Sequence, residues 1–295
     1  MSADPARTMS TGTRTDVRMH STRPDDVLAL VTSTDPWGPS VDAAIALAAR
    51  WTANLTGCYI DPSLRHAAEP DREPEVPGLP RLYDMDHAER AAFASHAHDL
   101  GVRDARWVVA RRNIPLTLRA LGAWHDLAVV ERDIVAGDQL LDILGEAMLA
   151  SRMPCLLLPP DWNGSPVPDR VAIGWNGSIE AARAVHCALP FLQEAAEVRI
   201  IDGQSTYASD DVTAPVTPRP DLLDYLRRHG VDAKSRHLDI SPQEAGPALL
   251  EEIRRTHAGL LVMGAYSHSC LRERVLGGAT RHVLKHAHIP VLIHH

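Results

Sequence analysis

The sequence predicts an α/β protein of two tandem Rossmann-like (flavodoxin-like) domains, each a five-stranded parallel sheet with helices on both faces, packed as a pseudo-twofold pair. Three observations predict it. Short β-branched or aliphatic runs alternate with helical patterns throughout, as they do where crossover helices cover a parallel sheet. The same order of five runs and four helical patterns occurs twice. A proline-rich stretch, PPDWNGSPVPD at Pro159–Asp169, separates the two copies, and 295 residues suit two ordinary domains better than one core.

In the first copy, strands are expected at Val27–Thr32, Leu55–Ile60, Ala105–Ala110, Asp126–Val130 and Cys155–Leu158. Helical patterns lie between them at Ser40–Ala53, Asp86–Leu100, Leu116–Trp124 and Leu140–Ser151. The second copy repeats the order, with strands at Val171–Trp175, Val198–Ile201, Ala233–His237, Leu260–Met263 and Val291–Ile293. Its helices are expected at Ile179–Leu192, Asp221–His229, Pro242–Thr256 and Ala279–His286.

Residue-level echoes tie the copies together: DLAVVE at Asp126–Glu131 matches GLLVMG at Gly259–Gly264, and MPCLLL at Met153–Leu158 matches IPVLIH at Ile289–His294. Each copy closes on a proline followed by an apolar strand, a position where proline costs no ladder hydrogen bond. Both closing strands are apolar edges that would be aggregation-prone if exposed, so Cys155–Leu158 is expected to pair with Val291–Ile293 inside the chain. Further homodimerisation stays open. The organisation is then a disordered leader at 1–24, a first domain at 25–160, a linker at 161–169 and a second domain at 170–295. Two connections, Asp61–Asp84 and Gln204–Pro220, exceed the usual length and read either as disordered or as lids over a site.

Composition narrows the function classes. A formal charge of -8, with no strongly basic run, argues against nucleic acid and anionic lipid as partners. Residues 1–24 contain no apolar stretch, so neither a secretion signal nor a membrane span is expected there. Cys58, Cys155, Cys187 and Cys270 are far apart, with no CxxC among them, and read as reduced thiols of a cytoplasmic protein.

Open parallel sheets bind ligands beyond the carboxyl ends of their strands, where the strand order reverses. After the first strand of the second copy comes Trp175-Asn176-Gly177-Ser178, with a helix following directly. Ser178 suits an N-cap, Gly177 a tight turn, and Asn176 offers a ligand both donor and acceptor. The richest segment runs from Met263 and Gly264 through Ser267, His268 and Ser269 to Gly277, Gly278, Ala279, Thr280 and Arg281. Its small residues let backbone approach an anion, and the amides at the next helix start point toward it. Thr280 and Arg281 add a hydroxyl and a positive charge there.

Other chemistries fare less well. His282 and His286 share a helix face, with His288, His294 and His295 following, but no acidic or cysteine partner stands at metal-ligand spacing, so no metal site is expected. The Ser267-His268-Ser269 trio lacks a surrounding G-x-S-x-G, and no catalytic residue is assigned.

The segment from Gly264 to Gly278 resembles the nucleotide motif G-x2-G-x9-G-[ST] of the universal stress protein family. RVAIGWNGS, AARAVHCALPFL and LVMGAYSHSCLRERVLGGATRHVLKHAHIPVLI follow in the order that family shows. Gly264 and Gly277 match the first and third motif glycines; Ser267 replaces the second, and Gly278 stands where Ser or Thr is usual. Asn176 stands where nucleotide-binding members commonly carry an acid. The resemblance implies a regulatory stress-response protein holding ATP or a related adenine nucleotide, with or without Mg2+, in the second copy, and an unidentified protein partner. It implies slow hydrolysis at most. In the first copy Glu131 occupies the place of Gly264, where a carboxylate repels phosphate, so that copy is expected to be structural. The alternatives are an interaction module without nucleotide and, further off, a small-molecule hydrolase or metal-dependent enzyme.

Overall fold

The computed structural model describes residues 23–65, 79–134, 139–203, 221–241, 243–265 and 277–295, with 79–87 and 139–140 as backbone only. The expectations for the leader before Arg23, for most of the two long connections, and for Ser267, His268, Ser269 and Cys270 lie outside the described residues.

Among the described residues, ten strands alternate with helices. The first unit contains β1 (Asp26–Val31), α1 (Pro39–Trp51), β2 (Asn54–Tyr59), α2 (Pro62–Arg65), α3 (Leu79–Asp99), β3 (Ala105–Val109), α4 (Ile114–Leu121), β4 (Leu127–Glu131), α5 (Gln139–Ser151) and β5 (Cys155–Leu158). The second contains β6 (Arg170–Trp175), α6 (Ile179–Glu194), β7 (Glu197–Asp202), α7 (Leu222–Arg228), β8 (Ala233–His237), α8 (Ala245–Thr256), β9 (Leu260–Gly264), α9 (Gly278–His286) and β10 (Val291–His294).

Local chemistry explains the ends that differ from expectation. Helix α4 starts at Ile114 rather than Leu116 because the Asn113 side chain accepts from Leu116 N and Pro115 sits in the first turn, where no amide is needed. Helix α8 starts at Ala245 rather than Pro242 because Glu244 Oε2 accepts from the Ser241 amide and hydroxyl and holds the entry as a turn. The short helix α2, inside the connection read as loop, was not expected.

All ten strands form one sheet, in the order β3-β2-β1-β4-β5-β10-β9-β6-β7-β8. The order reads the same from either edge if each unit is numbered by itself, which is the expected pseudo-twofold arrangement. Within each unit the pairing is parallel; at the seam β5 and β10 run antiparallel, with Leu156 opposite Leu292 and both fully buried. Two core layers sandwich the sheet. Val27, Ala29 and Val31 face the layer beneath α1, α3, α6 and α7, while Leu28 and Leu30 face the layer beneath α4, α5, α8 and α9. The open edge at β8 is charged, with Lys234 and Arg236 exposed, which disfavours pairing with another chain.

A second clamp joins the units beside the seam. Glu194 at the end of α6 accepts from Arg50, from Trp51 Nε1 at 3.2 Å and from Arg23 at 3.4 Å, and Trp51 meets Phe191 edge-on at 4.9 Å. No described helix is long and apolar enough to cross a membrane.

Candidate functional site

In the second half-sheet the chain leaves β6 outward to β7 and β8, then returns to β9 on the other side of β6. The order therefore reverses between β6 and β9, whose carboxyl ends carry Trp175 and Gly264. The site residues expected at Trp175, Asn176, Met263 and Gly264 thus lie at the switch point.

The turn after β6 has the expected build, with one restriction. Gly177 takes φ +75°, and the Ser178 hydroxyl accepts from Ala181 N at 3.1 Å. Asn176 Oδ1, however, accepts from Ser178 N at 3.1 Å. One lone pair of its oxygen is committed to the turn, which leaves the amide donors and the second lone pair for a ligand.

Gly264 lies hard against the start of α6. A Cβ built there would stand 2.5 Å from Ala181 N and 2.7 Å from the Glu180 carbonyl carbon, both backbone atoms that cannot yield locally. Met263, by strand alternation, is buried in the opposite layer and supports the floor rather than facing a ligand.

Among the described residues nothing covers the start of α9: its N-cap, Gly277, offers no side-chain hydrogen bond, and Cβ atoms at Gly277 or Gly278 would meet no described atom within 4 Å. The first-turn amides of Gly278, Ala279 and Thr280 are the kind that satisfy an anion at a helix start. Thr280 is buried. Arg281 corrects its expected role: Nη1 donates to Asp142 Oδ1 of α5 at 3.1 Å, so this cation ties the two units together across the seam.

Three polar residues near this crevice were missed by the sequence reading. The register places Trp175 beside Asp202 and Asp202 beside His237, and Asp202 meets His237 at 3.5 Å. Asp202 follows the run Val198–Ile201 that read as strand; extending that strand by one residue puts it at the carboxyl end. Glu180 is buried in the first turn of α6, where an acid ordinarily favours the helix dipole, which hides any other role. Its Oε2 has no hydrogen-bond partner among the described residues.

The equivalent crevice of the first unit is filled from within. Glu131, at the place of Gly264, is buried, and its Oε1 accepts from Ser40 Oγ at 2.7 Å and Ser40 N at 3.1 Å. A carboxylate thus sits on the first turn of α1, where an anion would go. Arg65 of α2 donates to the Ile60 and Thr32 carbonyls and closes the ends of β1 and β2. Tyr59 and Trp107 stand where the second unit has Asp202 and Ser235, and Trp37 packs edge-on against Trp107 at 5.9 Å.

Burial pushes the Cys58 and Cys155 thiols up to about 12 and Cys187 to about 11, so all three stay protonated at neutral pH. The His282 and His286 rings lie with centroids 4.6 Å apart, tilted by 48°, and among the described residues no group of three or more His, Cys, Asp or Glu is placed to hold a metal.

Comparison with known proteins agrees with this architecture. The model of the universal stress protein family matches residues 168–295. A universal stress protein from Archaeoglobus fulgidus DSM 4304 shares the fold with a TM-score of 0.64 at 13% identity, over 91% of this chain and 95% of that one. The cytoplasmic domain of a prokaryotic cation chloride cotransporter does so with a TM-score of 0.51 at 14% identity, over 91% of this chain and 94% of that one. No curated protein sequence matches the chain.

Proposed function

We propose that this chain is a tandem-domain member of the universal stress protein family, whose model matches residues 168–295, and a cytoplasmic regulatory protein that holds an adenine nucleotide in its second unit only. The units are assigned to 25–160 and 170–295, joined by a linker at 161–169.

The observation that carries this reading is the contrast between the two crevices. In the second a glycine, Gly264, faces the start of α6, where the first has a carboxylate, Glu131, seated on the equivalent helix α1; among the described residues the start of α9 at Gly277 and Gly278 carries no side-chain cap. The free amides of α9 suit the phosphates of ATP. Glu180 Oε2 and the Asp202 carboxylate supply acceptors for ribose hydroxyls or an adenine amino group, which replaces the acid that Asn176 lacks. Mg2+ would accompany the phosphates without a dedicated protein cage. The nucleotide acts as a signal presented to a protein partner, with slow hydrolysis at most.

An interaction module without nucleotide is the second reading. The pairing of Arg281 with Asp142 and the closing of Asn176 onto its own turn favour it, since both withdraw groups from a ligand. The test is to denature the purified protein and run the supernatant on anion exchange, then titrate the refolded or nucleotide-free protein with ATP and magnesium by calorimetry. Released adenine nucleotide, or saturable heat, supports the first reading. Neither at millimolar ATP leaves the second.

A further inference from the structure

Helices α8 and α9 touch at one end, where a Cβ on Gly246 would stand 2.7 Å from His282 Cβ, and enclose an open groove of about 600 Å³ alongside. That volume falls within the roughly 300–1,000 Å³ of small-molecule sites. The groove shares no lining residue with the crevice between β6 and β9.

Its lining is one-sided in charge. Arg254 and His257 of α8 and its C-cap, with His282, Lys285, His286 and His288 on the other wall, give six basic side chains and no acidic one. Arg254 pairs with Glu251, which lies outside the lining. The floor is apolar, with Leu250, Ile253 and Ile289 between the basic walls. On α8 the lining positions 247, 250, 254 and 257 recur at helical spacing, so one continuous face of the helix is committed to the groove.

We propose that this groove binds a small organic anion with an apolar body, an aliphatic carboxylate. The chain lies on Leu250, Ile253 and Ile289, and the head is held by Lys285 and by imidazole N–H donors from His257 and His286. A carboxylate suits these partners because its two oxygens can each accept from a separate donor, one from the Lys285 ammonium and one from an imidazole N–H. The site does not depend on nucleotide binding in the crevice.

Decanoate serves as the probe, with decyltrimethylammonium as its cationic counterpart and decyl phosphate as the alternative head. In heteronuclear NMR titrations, decanoate is expected to shift the resonances of His282, His286 and Ile289 saturably, while the cation shifts none of them. Lys285→Glu and His257→Glu lie on different walls and are both exposed, so neither disturbs the core. Each is expected to weaken decanoate at least tenfold with an unchanged unfolding midpoint. The idea fails if decanoate gives no saturable shift, if the cation binds as well, if decyl phosphate binds more than tenfold tighter than decanoate, or if both variants retain full affinity.

Discussion

Glu131 Oε1 accepts from both the hydroxyl and the amide of Ser40, at 2.7 and 3.1 Å, across 91 residues of sequence. The carboxylate belongs to the end of β4 and the amide to the first turn of α1, so the fold supplies its own anion where the second unit leaves a helix start facing glycine. Removing it by Glu131→Ala strips the buried Ser40 amide of its acceptor and leaves the Ser40 hydroxyl to the Leu30 carbonyl at 2.8 Å. The expected loss is about 1–3 kcal/mol in urea unfolding. Calorimetry with ATP should change little, and a strong change in affinity would mean the nucleotide sits in the first unit.

Two glycines of the second unit should answer substitution differently. Gly264→Ala drives a methyl into the backbone of Ala181 and Glu180 and should cost about 1–3 kcal/mol, with weaker nucleotide binding as α6 is displaced. At Gly277 a methyl meets nothing, so Gly277→Ala should leave stability within about 0.5 kcal/mol. Gly277→Asp should be equally well folded yet lose ATP affinity, because it puts a negative charge at the open helix start. Thermal unfolding and ATP titration of the three variants, side by side, check this.

Acid should loosen the protein through two histidines. Burial lowers the pKa of His294 at the end of β10, aided by nearby Arg183 and His295, and burial lowers that of His186, aided by His229. A histidine whose folded pKa is depressed stays neutral in the native state while its unfolded counterpart takes up a proton. Stability is therefore full above the ordinary histidine value of about 6.5 and falls as pH drops through that value toward the folded pKa. Urea midpoints at pH 7.5 and 5.5 should show the decline, and His294→Gln should reduce the slope. An unchanged slope in that variant counts against His294 as a contributor.

The seam should survive loss of the covalent link. Cleaving an engineered protease site near Ser165 is expected to give two halves that co-elute at the size of the intact chain, held by the buried β5 and β10 pair and by the Glu194 clamp. Leu292→Asp puts a charge in the centre of that pairing and should separate the cleaved halves. Halves that separate without it would show that the seam is too weak to hold unaided.

Much of the architecture is written in local pattern. Alternating apolar runs, the prolines before β5 and β10, and the helix start at Ser178 locate elements because each depends on the period and chemistry of neighbouring residues. Strands β5 and β8 have the expected bounds for that reason, and the internal echo between the copies follows from the same runs. The tertiary structure alone decided which groups meet. Arg281 reads as a phosphate ligand until α5 brings Asp142 to it, and Glu131 reads as mere repulsion until Ser40 is found beneath it. Asp202, His237 and Glu180 reach the crevice through sheet register and helix docking. Such meetings join residues tens to more than a hundred positions apart, and no periodicity within one segment encodes the partner in another.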